Sequence, residues 1–344
     1  MSSLPGAESA SPTSASSAQG GVHLREGVLE LSAFDLHFGG RLDGARLAWR
    51  LMGNAGGPVV LALGGISAGR NVASDGQLKG WWHEVVGPGL ALDTAQTQIL
   101  GIDFLGGSGE TTGPRRGQTD FPSISAYDQA EVLRQLLDHL QISELELLVG
   151  ASYGGMVGLA FAERYPDRIR HLVSISAAHR SHPMSTAWRS VQRAIVRYAA
   201  EKGDGGEGLR LARALAMATY RSSEEFAKRF SGEPQRVNGQ FRFPVENYLL
   251  SRGDAYAATY VPEAFVCLSE SIDLHRVDPA QINVPTTLVG VREDQLVPIA
   301  DMRSLAQSLA GPAELIELSS LYGHDAFLKE SEALRSVFAN ALHA

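Results

Sequence analysis

The chain predicts an α/β fold: a mainly parallel central sheet covered by helices, with a helical segment inserted late in the strand series. Three observations predict it. Short, continuous apolar runs at 59–63, 98–103, 145–150 and 172–176 alternate with helical patterns, most plainly at 126–140, as strands buried on both faces of a parallel sheet require. That alternation stops near Ala178 and resumes near Val284. And Gly150-Ala151-Ser152-Tyr153-Gly154 falls between an apolar run and a helix-forming stretch at 156–165.

In chain order, residues 1–21 are rich in Ser, Ala, Gly and Pro, without the basic start and apolar centre of a signal peptide; residues 1–25 are expected to form a disordered tail. Residues 28–38 and 46–52 roughly alternate apolar and polar side chains, which predicts an antiparallel hairpin ahead of the parallel strands. The core is expected over 26–178 and 276–344. Between them, 179–275 carries helical patterning at 185–200, 207–218, 223–230, 245–252 and 262–268, broken by glycines at 203, 205 and 206 and by 232–234, with little strand signal. Such an insertion reads as a helical lid, which closes a site from water and carries specificity. Residues 284–291 then read as a buried strand, and 314–318 as a short strand before the last helix.

Composition bounds the partners. The chain has 344 residues, 44% hydrophobic and 20% charged, an ordinary globular make-up. A net charge of −8 with no block of Lys or Arg argues against nucleic acid or an anionic membrane. Cys267 is the single cysteine, so no intramolecular disulfide forms and a reducing compartment fits. No stretch approaches the roughly 20 apolar residues of a membrane span, and a cytoplasmic location is expected. There is no internal repeat and no phosphate-binding GxxxxGK. His179 and His182 lack acidic or cysteine company, so neither a metal nor a cofactor is expected.

The chemistry follows from the pentapeptide. G-x-S-x-G between a strand and a helix is the nucleophile elbow of an α/β-hydrolase fold, where the partners follow in the order acid, then histidine. Ser152 is the expected nucleophile. The loop after 284–291 offers Asp294 as the acid, with its neighbour Glu293 as the rival. His324, in a Gly-His pair after the last strand, is the expected base. The oxyanion hole is expected to use the N–H groups of Tyr153 and of Gly65, the latter in the loop after 59–63.

Several segments carry a more specific resemblance. They include Gly80-Trp81-Trp82, Leu105-Gly106-Gly107-Ser108-Gly109-Glu110-Thr111-Thr112-Gly113-Pro114, Gly150-Ala151-Ser152-Tyr153-Gly154-Gly155-Met156, Val245-Glu246-Asn247-Tyr248-Leu249 and Tyr322-Gly323-His324-Asp325-Ala326-Phe327. Over roughly 31–342 the chain resembles the MetX-type homoserine O-acyltransferase family of methionine synthesis. The resemblance implies ping-pong transfer: Ser152 takes an acyl group from the co-substrate acyl-CoA, and the hydroxyl of L-homoserine then attacks the acyl-enzyme with His324 as base. It places the acceptor's carboxylate on Arg213, within Gly208-Leu209-Arg210-Leu211-Ala212-Arg213, and its amine on Asp325. It also implies a homodimer through the lid helices. Two departures bear on the acyl group: Gly64-Gly65-Ile66-Ser67 stands where the family usually carries Leu-Thr-Gly, and the start of the lid, 198–208, is short. The segments Gly150–Gly155 and Ala177–Pro183 resemble members that use succinyl-CoA, so succinyl is the expected donor and acetyl the alternative. L-serine remains open as acceptor, and a serine esterase or hydrolase of the same fold as the rival activity. A succinyl group brings a second carboxylate that must find donors. Candidates are Ser67, Arg70, the backbone N–H groups of 64–69, Arg189 and Arg193.

Overall fold

The structure, a computed structural model, describes residues 17–19 and 22–343. Ser17–Gln19 (β1) pairs with the start of Val22–Asp35 (β2), which runs antiparallel to Arg41–Gly53 (β3). The hairpin thus starts earlier than the alternation indicates. Of the tail expected over 1–25, residues 1–16, 20 and 21 lie outside the described residues, and the rest is strand. His23 to Gly27 pair with Gly53 to Trp49, and Glu26 holds Arg50 Nε at 2.9 Å. Backbone pairing, rather than an apolar pattern, extends this strand.

The chain continues through Val59–Leu63 (β4), a two-residue parallel pair, Val86–Gly87 (β5) and Leu92–Asp93 (β6), then Gln98–Ile102 (β7), Ala126–His139 (α1), Leu147–Ala151 (β8), Tyr153–Arg164 (α2) and Leu172–Ile175 (β9). Pro183–Glu201 (α3), Gly205–Tyr220 (α4), Ser223–Arg229 (α5), Gln235–Val237 (β10), Gln240–Arg242 (β11), Pro244–Ala257 (α6) and Pro262–Leu274 (α7) follow. Thr286–Val291 (β12), Ile299–Ser308 (α8), Ala313–Leu318 (β13) and Ser331–His343 (α9) complete the order.

The main sheet runs β1-β2-β3-β7-β4-β8-β9-β12-β13 and is parallel from β7 to β13. Strand alternation splits its side chains between two layers. Leu61, Leu63 and Leu148 pack with Leu133 and Leu136 of α1 and Phe161 of α2, while Val60, Ala62 and Val149 pack with Trp82 and, from α9, Phe338. A capping box starts α1: Ser125 Oγ accepts the Asp128 N–H, and Asp128 Oδ2 accepts the Ser125 N–H at 2.7 Å. In register, Leu63 faces Gly150 and Ala151 faces Ile175. The loops that carry the expected site residues therefore leave the carboxyl ends of neighbouring strands, where open α/β sheets bind ligands.

The helices expected in the insertion are present, but the segment also contains the β10–β11 hairpin. All six of its strand residues are exposed, so no buried face imposes an alternation. Its legible signal is Asn238-Gly239, with φ of 51° and 83°, as a primed hairpin turn requires. Among the described residues no helix is long and apolar enough to cross a membrane.

Candidate active site

Ser152 sits between β8 and α2 with φ 55° and ψ −120°, a region L-residues rarely occupy and whose strain costs of order 1–3 kcal/mol. Glycine permits the sharp turn around it. A Cβ on Gly150 would lie 2.2 Å from Gly154 O, and one on Gly154 would lie 2.4 Å from Leu63 O. The turn pushes the serine hydroxyl out of the sheet at the foot of α2.

The expected partners converge on it. His324 Nε2 lies 2.9 Å from Ser152 Oγ, and His324 Nδ1 lies 2.7 Å from Asp294 Oδ2. Asp294 Oδ1 accepts the N–H groups of Leu296 and Val297 at 2.8 and 3.0 Å, which fixes the orientation of the carboxylate. Glu293 points elsewhere, to Ser319 and, at 2.8 Å, to the Ser320 N–H. Burial pulls the His324 imidazole down, but Asp294 outweighs it and leaves the group above the ordinary histidine value. A hydroxyl bonded to an imidazole that is bonded to a buried carboxylate can transfer its proton as it attacks a carbonyl.

Gly64 O accepts the Gly154 N–H at 2.9 Å, which draws the loop after β4 against the elbow. Among the described residues, neither the Gly65 N–H nor the Tyr153 N–H has an acceptor. Gly65 and Ser152 line the same cavity. Two free donors beside the nucleophile suit an oxyanion.

Arg213 and Asp325 line that cavity as well. The Arg213 guanidinium lies 4.6 Å from the Tyr256 ring and 5.2 Å from the Tyr220 ring, and its Nη1 donates to Tyr220 Oη at 3.3 Å. It has no carboxylate partner among the described residues. Asp325 lies 3.0 Å from Arg221 Nε. Burial raises the Asp325 carboxyl, with Arg221 opposing. Sequence reasoning did not single out Tyr220 or Arg221 for a role, although both stand in an Ala218-Thr219-Tyr220-Arg221-Ser222 segment at the end of α4.

On another side of Ser152, a second cavity is lined by Arg180, Ser181, His182 and Arg189. Of the arginines considered for a distal carboxylate, two are engaged elsewhere. Arg70 holds Asp103 at 2.9 Å and Glu110 at 3.0 Å, and Arg193 holds Asp273 at 2.6 Å and the Ser269 carbonyl at 3.0 Å. Arg189 shares Asp273 at 2.7 Å yet faces the cavity. Arg180, which sequence reasoning did not consider, makes no ion pair among the described residues and faces it too.

A strained serine elbow, a histidine and an acid on successive strand-end loops of a mainly parallel sheet define the α/β-hydrolase class of serine enzymes. Residues 58–331 match the family model described as alpha/beta hydrolase fold. The chain is 44% identical over 299 residues to a homoserine O-succinyltransferase of Xanthomonas campestris, covering 86% of this chain and 79% of that protein. It is 34% identical over 349 residues to a homoserine O-acetyltransferase of Clavibacter michiganensis, covering 90% of each. The solved homoserine O-acetyltransferase of Bacillus anthracis shares the fold, with a TM-score of 0.83 at 17% identity over 93% of this chain and 98% of that one. The chain belongs to the homoserine O-acyltransferase family, acyltransferases built on the α/β-hydrolase scaffold.

Proposed function

We propose that the protein transfers an acyl group, by preference succinyl, from acyl-CoA to the hydroxyl of L-homoserine, a step of methionine biosynthesis in the cytoplasm. The observation that carries this reading is the pairing of a Ser152–His324–Asp294 relay with a guanidinium that makes no ion pair among the described residues, Arg213, in one cavity. A hydrolase needs only the relay and water. A transferase to an amino acid must also hold a carboxylate, and a planar guanidinium does so bidentately.

In the proposed cycle the hydroxyl of Ser152 loses its proton to His324 and attacks the thioester carbonyl. The Gly65 and Tyr153 N–H groups hold the oxyanion, and its collapse expels the CoA thiolate, which takes the proton. Homoserine then binds with its carboxylate on Arg213 and its amine on Asp325, an acid whose charge Arg221 shares. His324 removes the homoserine hydroxyl proton as that oxygen attacks the acyl carbonyl, and it returns the proton to Ser152 Oγ as the acyl–serine bond breaks and the homoserine ester leaves. Residues 179–275 act as a lid that keeps water from the acyl-enzyme. No metal or other cofactor enters this scheme.

The succinyl preference rests on Arg180 and Arg189 in the second cavity, where an acetyl group would need no cation, and on the succinyl-using relative being more similar than the acetyl-using one. We also propose a homodimer through the lid: Met184, Val191 and Tyr198, seven residues apart on α3, are exposed at 53%, 53% and 66%. The test offers acetyl-CoA and succinyl-CoA together, with homoserine and serine, and identifies the ester by mass spectrometry. O-succinylhomoserine is the expected product. CoA release that does not depend on either amino acid would replace the transferase reading with a hydrolase.

A further inference from the structure

We propose that Tyr260, from the segment joining α6 to α7, is a positioning residue that pins the oxyanion turn through its hydroxyl. The inference rests on the reading of the Gly65 N–H as an oxyanion donor. Residues Gly65 to Ala68 form a tight turn, closed by the Ala68 N–H on Gly65 O at 2.8 Å. Ile66 and Ser67 are its central residues, and the peptide between them is the one whose rotation interconverts turn types. Such a rotation would swing the Ile66 carbonyl and loosen the turn that follows Gly65, whose N–H is the expected oxyanion donor.

That carbonyl is held from outside the loop. The Tyr260 hydroxyl donates to Ile66 O at 2.7 Å, a buried bond between residues 194 apart in sequence. Tyr260 is itself fixed. Its ring stacks on Tyr256 at 4.7 Å and 18°, and the next residue, Val261, donates its N–H to Ser108 Oγ at 2.9 Å. The ends of the loop are anchored by Gly64 O on the Gly154 N–H and by Gly69 O on Trp81 Nε1 at 3.0 Å, and the Ile66 side chain is buried in the core. Among the described residues, the Tyr260 bond is the hydrogen bond that reaches a backbone group in the middle of the turn from outside the loop. A donor must sit within a fraction of an ångström of the developing oxyanion to stabilise it, so a group that fixes the turn acts on the transition state without touching substrate.

The test is Tyr260→Phe, which keeps the ring and its stack and removes the hydroxyl. The readout is the rate constant for acylation of Ser152 by p-nitrophenyl acetate. That reaction needs the nucleophile and the oxyanion hole but neither CoA nor homoserine, so it reports on Tyr260 even if the proposed donor and acceptor are wrong. Removing an oxyanion donor outright costs about 10²–10³ in rate, and loosening one is expected to cost about 10-fold here. The apparent KM should stay within twofold and the melting temperature within about 3 °C. A fall in rate of less than fivefold, or a fall accompanied by a larger change in KM or melting temperature, overturns the proposal. Should the phenylalanine variant not fold, 3-fluorotyrosine at position 260 decides: it keeps the hydroxyl and should retain the wild-type rate, and a fivefold loss there overturns the proposal.

Discussion

Asp294 and Glu293 are adjacent carboxylates, and their surroundings separate their roles. Asp294 accepts two backbone N–H groups and faces His324, whereas Glu293 faces Ser319 and Ser320. Asp294→Asn should therefore lower kcat by about 10³- to 10⁴-fold, since the amide no longer stabilises the imidazolium or selects its tautomer. Glu293→Gln should cost less than tenfold, and the reverse ranking in steady-state assays would move the acid by one residue. Ser152→Ala should abolish the acyl-enzyme seen by intact-protein mass spectrometry. The pH dependence follows from His324, whose pKa lies above the ordinary histidine value because of Asp294. The base works only when neutral, so acylation should rise with pH through an inflection above about 6.5, and Asp294→Asn should move that inflection down. For stability the sign is opposite. A raised folded-state value contributes stability below the unfolded pKa, and that contribution is lost as pH rises through the folded one.

At the scale of elements, α4 and the turn after β13 bring the acceptor's expected contacts together. Arg213 lies on α4 and Arg221 just beyond its end, and Asp325 follows the histidine. Arg213→Ala should raise the KM for homoserine about 100-fold, close to 3 kcal/mol, while the burst of CoA release from acyl-CoA keeps its rate. Equal losses in burst and turnover would make Arg213 a structural residue. The elbow could be read from sequence because its demands are local: a strand, glycines where a Cβ would strike backbone, and a helix. The positions of Asp294 and His324 were legible because each follows a strand in a fixed order. The Arg221–Asp325 pair was not, since a contact between residues 104 positions apart leaves no periodic trace. Nor was the Tyr260–Ile66 bond. The β10–β11 hairpin escaped because it buries nothing, although Asn238-Gly239 marked its turn. Among the arginines, sequence supplied candidates but not their partners: Asp103 and Glu110 occupy Arg70, and Asp273 with the Ser269 carbonyl occupies Arg193.

For the whole molecule, the proposed dimer depends on the outer face of α3. Residues seven apart drift only about 20° per step around a helix, so Met184, Val191 and Tyr198 lie along one stripe, and Leu211 of the neighbouring α4 is exposed as well, at 39%. Isolated exposed apolar residues need no explanation, but an aligned stripe does. Full burial of an exposed apolar side chain contributes about 1.5–3 kcal/mol; these are 39–66% exposed, so each contributes roughly half of that toward an association cost of roughly 4–15 kcal/mol. Light scattering at about 10 µM protomer should therefore report a dimer. Val191→Glu combined with Tyr198→Glu should give a monomer, because two carboxylates on each copy would then meet their own kind across a two-fold axis. The wild-type melting temperature should rise with protein concentration and that of the double variant should not. The same α3 supplies Arg189 and Gln192 to the cavity beside Ser152. Separation of the protomers should therefore lower kcat/KM for succinyl-CoA more than the rate of p-nitrophenyl acetate hydrolysis. A double variant that remains dimeric, or a wild-type chain that is monomeric at 100 µM, would remove the lid as the interface.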